Sequence, residues 1–229
     1  MHFFNFPPFR SVGPADIEVV SGIGDYLMVA PAALANTTVD IFQNFPEVSF
    51  AMGGEGDWRE FTTLPNLLRQ FQPGLVGASS GTFTRSGFNL ASREALSGDL
   101  VDQAELLVSR MEQAPEVNMN FHWKLVTVAA GHSDLCRLSC RPGHHVSQFV
   151  RNVAAALDTL VRLPNVLISV VSPMDPSLVA GALHRPLSCQ VCTSHLLVIF
   201  SSNSPPGVRP APVPLCGGRG GQAPHRLPC

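Results

Sequence analysis

Asp16-Ile17-Glu18-Val19-Val20 leads directly into Gly22-Ile23-Gly24-Asp25-Tyr26-Leu27. The first segment alternates and is rich in branched apolar residues, the pattern of a short strand. Gly22 and Gly24 then permit a tight turn, and a helix is expected from about Leu27. A strand that turns through glycine into a helix opens an α/β unit, and such sheets work in the crevice at the carboxyl ends of their strands. The side chain delivered to that place is the phenol of Tyr26. A lone Gly-x-Gly-Asp is also an ordinary strand ending, so the segment takes its meaning from the rest of the chain.

Outward from this turn, helical and strand patterns alternate. Thr62-Thr63-Leu64-Pro65-Asn66 has the hydroxyl and early proline of a helix start, and Phe88-Asn89-Leu90 reads as a short strand. Between Leu96 and Met111, the residues Leu96, Leu100, Ala104, Leu107 and Met111 recur at three and four, which marks an amphipathic helix. Trp123 to Ala130 is a nearly continuous apolar run ending at Gly131, as in a parallel strand buried on both faces. Val146, Phe149, Val150, Val153, Ala154, Leu157 and Val161 line one side of a further helix. Val166 to Val171 is another strand, and Leu196 to Phe200 a last one. Strands separated by helices require right-handed crossovers, so the sheet is mainly parallel and the architecture a three-layer α/β/α sandwich. The expected organisation is an extension over 1–15, a domain over 16–200, and a disordered tail over 201–229 crowded with Pro and Gly.

The 229 residues suffice for one such domain, and a hydrophobic content of 45% suits a buried sheet. Fifteen basic and seventeen acidic residues, with no basic block and Lys124 as the single lysine, argue against nucleic acid as a partner. The amino terminus lacks the basic start and unbroken apolar run of a secretory signal. The run Leu196–Phe200 is too short to span a bilayer. Membrane contact would therefore come only through a parent protein that has a signal elsewhere. Six cysteines include the pairs Cys136/Cys140 and Cys189/Cys192. Zinc ligation is one reading of such pairs. Disulfides in an oxidising compartment are favoured over it, and the glycosylation sequon at Asn36-Thr37-Thr38 agrees. No cofactor is implied.

Four blocks in order carry a family resemblance. They are Gly24-Asp25-Tyr26-Leu27, the Trp58–Leu68 segment with Thr63-Leu64-Pro65-Asn66, Phe88-Asn89-Leu90-Ala91, and Trp123-Lys124-Leu125-Val126-Thr127 leading to Gly131-His132-Ser133-Asp134-Leu135-Cys136. Over about residues 17–195 the chain resembles phospholipase B of the membrane-associated, brush-border type, within the GDSL (SGNH) lipid-ester hydrolases. The resemblance implies a flavodoxin-like α/β/α sandwich, incomplete here at the carboxyl terminus. It also implies phospholipid or other acyl-ester substrates, no metal, and an extracellular or apical setting.

In that family a serine in the first block is the nucleophile. A glycine after the second strand and the asparagine of Gly-x-Asn-Asp help the serine's own amide form the oxyanion hole, and a late Asp-x-x-His completes the triad. Carried over by position, Tyr26 stands at the nucleophile and Ser133 at the oxyanion asparagine. The glycine block reads Ala91-Ser92-Arg93-Glu94-Ala95, so a bulky Ser92 or Arg93 is expected to fill that corner. None of the eight histidines has an aspartate three residues before it. Gly24, Asp25 and Asp134 are left as turn-supporting residues, the two aspartates by bonding nearby amides. His132 is read as a bystander at a strand end rather than a base, and the Glu55, Asp57, Glu60 cluster as solvated. The sequence thus describes a degenerate hydrolase module without its reacting groups. The alternatives are a weakly active phospholipase, lysophospholipase or esterase, and a lipid- or partner-binding scaffold.

Overall fold

The computed structural model describes residues 12–37, 39–81, 87–138 and 145–173. Its centre is a parallel sheet of β1 (Ile17–Gly24), β2 (Trp123–Ala129) and β3 (Val166–Val171), in that spatial order. The register aligns the carboxyl ends: Gly24 lies opposite Ala129, and Ala129 opposite Val171. Whatever follows each strand is therefore gathered at one edge. The expected strand at 88–90 is reduced to a single parallel bridge, Asn89 to Gly22, on the free side of β1.

Among the described residues four α-helices accompany the sheet: α1 (Leu64–Leu68), α2 (Leu100–Gln113), α3 (His132–Leu138) and α4 (Val146–Leu160). The two crossovers step the same way across the sheet, and right-handed connections then place their helices on the same face. Accordingly α2 and α4 share one core with Val19, Ile23, Val126 and Val128. The opposite face is covered by α1 and irregular chain, through Met28, Met52, Leu68 and Leu75 packed on Ile17 and Val20. A parallel α/β sheet with helices on both faces is the architecture the alternating pattern predicts.

Three expectations are corrected. First, β1 does not stop before the glycines but runs through them to Gly24, and it is followed by one 3-10 turn (Tyr26–Val29) rather than a helix. Gly22 and Gly24 serve close approach: a Cβ at Gly22 would strike the Met28 side chain, and one at Gly24, whose φ is +145°, would strike the Ala129 carbonyl. Second, the apolar stripe assigned to α4 is only partly buried. Val146, Val150 and Val161 are 80%, 56% and 60% exposed, while Ala156 and Leu160 are sealed. The face turned to the core runs through Phe149, Val153, Ala156, Leu157 and Leu160, so it is rotated from the predicted stripe and leaves the valines at 146, 150 and 161 outside. Third, His132 does not sit in a loop but opens α3.

The expected strand at 196–200, the tail from 201, and Cys140, Cys189 and Cys192 lie outside the described residues. Cys136 lies on α3.

Candidate functional site

The carboxyl edge of the sheet is built around Asp25. Its carboxylate is almost fully buried and accepts the amides of Gly131 and Ser133, each at 2.9 Å. These partners are more than a hundred residues away, not nearby as the turn chemistry suggests, so Asp25 fastens the end of β1 to the segment after β2. Burial raises the Asp25 pKa above its ordinary value, against the lowering effect of the Ser133 and Gly131 amides and the charge of His132. Asp134 acts at longer range too, accepting the Ser97 hydroxyl at 2.6 Å and the Ser97 amide at 2.8 Å and tying α3 to the start of α2.

Tyr26 is half-buried, and its ring stacks on the imidazole of His132 with centroids 4.9 Å apart and planes 28° apart. The Arg93 guanidinium lies 5.4 Å from the same ring, within cation–π range, and Arg93 also donates to the Phe42 carbonyl at 3.0 Å. Ser133 is buried, and its hydroxyl donates to the Arg93 carbonyl at 3.3 Å. Between Asp25, Leu27, Ala129, His132 and Val171 there is no room for a water molecule. The larger cavity, about 650 Å³, lies elsewhere, between Val76 and Phe88 on one side and Leu106 and Arg110 of α2 on the other. It contains none of the residues singled out at the turn. Among the described residues no three His, Cys, Asp or Glu side chains converge as a metal site.

The profile of the GDSL-like Lipase/Acylhydrolase family matches residues 47–197, well over half of the chain. The chain belongs to the GDSL lipase/acylhydrolase family. It is 38% identical over 165 residues to human "Phospholipase B1, membrane-associated", covering 71% of this chain and 11% of that protein. The rat protein of the same name is 37% identical over 175 residues, covering 75% of this chain and 12% of the relative. The chain is thus a phospholipase B-type GDSL protein spanning a small fraction of the length of these relatives. No solved structure matches it. The family match begins at residue 47, after the turn that carries Tyr26.

Within this GDSL protein, three residues brace the turn, and two of them, Gln103 and Asn89, carry signals too weak to read from sequence. Gln103 of α2 is buried and bonds both sides of the Gly24 backbone, accepting its amide at 2.7 Å and donating to its carbonyl at 3.1 Å. Asn89 donates to the Met28 carbonyl at 2.9 Å and so holds the 3-10 turn after Tyr26. Arg93 lies over the Tyr26 ring. A glutamine beside acidic positions reads as the wet side of a helix, whereas Arg93 was one of the two residues expected to fill this corner. The Glu55, Asp57 and Glu60 cluster is exposed. Asn36 is exposed on the loop after the turn. No helix among the described residues is long and apolar enough to cross a membrane.

Proposed function

We propose that this chain is a non-catalytic module of the phospholipase B type, one that keeps the GDSL fold and has lost ester hydrolysis. The observation that carries the reading is the Tyr26 ring, stacked on His132 and overlain by Arg93 at the carboxyl edge of β1. The resemblance assigns a serine nucleophile to that position. Tyrosine places its oxygen at the far end of a rigid ring, and His132 meets the ring face rather than the hydroxyl. Ser133, at the position of the oxyanion asparagine, directs its hydroxyl to the Arg93 carbonyl. Loss of one oxyanion donor alone lowers turnover by about two to three powers of ten.

The lipid the module would meet is a phospholipid or another acyl ester, by the chemistry of its family. An extracellular or apical setting, glycosylation at Asn36 and disulfides among Cys136, Cys140, Cys189 and Cys192 belong to the same proposal. The test is ester cleavage by the purified chain, shown folded by circular dichroism, with short-chain p-nitrophenyl esters and lysophospholipid. Rates at the buffer background are expected. Saturable turnover would replace this reading with that of a weak esterase.

A further inference from the structure

The cavity of about 650 Å³ beside α2 plays no part in the Tyr26 turn, and its two walls differ in character. One wall is the chain that flanks β1. The Val20 amide donates to the Val76 carbonyl at 3.0 Å, and the Phe88 amide to the Gly77 carbonyl at 2.8 Å. Gly77, whose φ is +96°, lets this wall close up, since a Cβ there would strike the Val20 carbonyl and the Phe88 ring. Val76, Ala78 and Phe88 make its surface apolar.

The other wall is a second face of α2. Leu100, Ala104, Leu107 and Met111 are fully buried in the core, whereas Leu106, Ser109, Arg110 and Gln113 recur at helical spacing along the groove. Leu106 is 52% exposed, a large apolar side chain outside the core face. Arg110 donates to the Gly87 carbonyl at 3.2 Å. No carboxylate among the described residues pairs with it, since the single ion pair there joins Arg59 to Asp57. Its helical neighbours one turn away are Leu106, Leu107, Gln113 and Ala114, none of them acidic. The groove thus sets a guanidinium without a counter-charge beside apolar surface.

We propose that this groove binds a long-chain carboxylate, its chain against Val76, Phe88 and Leu106 and its head on the Arg110 guanidinium. The planar fork of an arginine suits a carboxylate, and a flexible chain fits an apolar groove of this volume. Glu116 lines the same groove, which sets it against a phosphate head with two negative charges. The site lies away from the carboxyl edge of the sheet and does not depend on whether the Tyr26 turn is reactive.

Isothermal titration of the full chain with sodium laurate below its micelle concentration tests the site, beside dodecyltrimethylammonium and lauroyl lysophosphatidylcholine, which carry other heads on a matching chain. One laurate per chain is expected, with both other amphiphiles about tenfold weaker or more. Arg110→Gln is expected to weaken laurate by about tenfold and to leave dodecyltrimethylammonium unchanged, a split that a purely structural role would not produce. Leu106→Glu should abolish laurate binding. Both side chains are exposed, so the variants keep the fold, as circular dichroism would show. No saturable laurate heat would overturn the proposal, as would equal binding of the cationic amphiphile or an undiminished response in either folded variant. Tighter binding of the lysophospholipid would replace the carboxylate with a phosphate head. A dimer in sedimentation that Leu106→Glu dissociates would place a second copy of the chain in the groove instead.

Discussion

Asp25 is the residue on which the site's geometry turns, and its ionisation leaves a measurable trace. Burial raises its pKa in spite of the two amides it accepts, so around the ordinary carboxylate range near 4 the folded chain holds this proton more tightly than the unfolded chain does. The resulting stability is fully present below that range and is lost as pH rises through the folded value. Asp25→Asn should therefore flatten the part of the stability profile just above pH 4, read from urea midpoints across pH. An unchanged slope would show that the carboxylate is no worse solvated than in the unfolded chain. The glycines and aspartate of the turn were readable as a motif, but not their partners, because Asp25 bonds amides more than a hundred residues away. Gln103 was not, because its bond to Gly24 spans 79 residues and its own neighbours give no hint of burial.

Among the elements, β2 depends on a group that composition shows only as the chain's single lysine. Lys124 is fully buried, and its ammonium donates to the carbonyls of Met119, His122 and Pro164 at 2.7, 2.8 and 2.9 Å. It thereby joins the approach to β2 to the approach to β3. Burial pulls its pKa down, and Glu18 pulls it partly back. Lys124→Met would leave three carbonyls without their donor, and unfolding in urea should register a loss of about 2–4 kcal/mol. A change within about 0.5 kcal/mol, typical of a surface site, would contradict that role. The strands and α2 were legible because each has one consistent period. The face of α4 was legible only in part, since valines at 146, 150 and 161 widen its apolar stripe beyond the side that packs through Val153, Ala156, Leu157 and Leu160. The length of β1 was also hidden, because glycines that permit close approach to Met28 and Ala129 look the same as glycines that end a strand.

At the scale of the whole molecule, the parallel sheet, its two cores and the GDSL family agree, and all were accessible from pattern and motif. The state of the site was only half accessible. Sequence shows a tyrosine at 26, a serine at 133 and no histidine with an aspartate three residues before it. The ring stack with His132, the Arg93 cover and the closed space beneath required coordinates. The sheet gathers its carboxyl ends at one edge, and under the proposed reading the side chains presented there no longer supply a nucleophile and base. Labelling with a fluorophosphonate that reacts with activated hydroxyls, followed by intact-mass analysis, tests this most directly when the folded chain and its Tyr26→Ser variant are compared. Both should remain unmodified if, as proposed, replacing the phenol restores a hydroxyl without a base to activate it. A stoichiometric adduct at residue 26, or at any serine of the wild-type chain, would contradict the account.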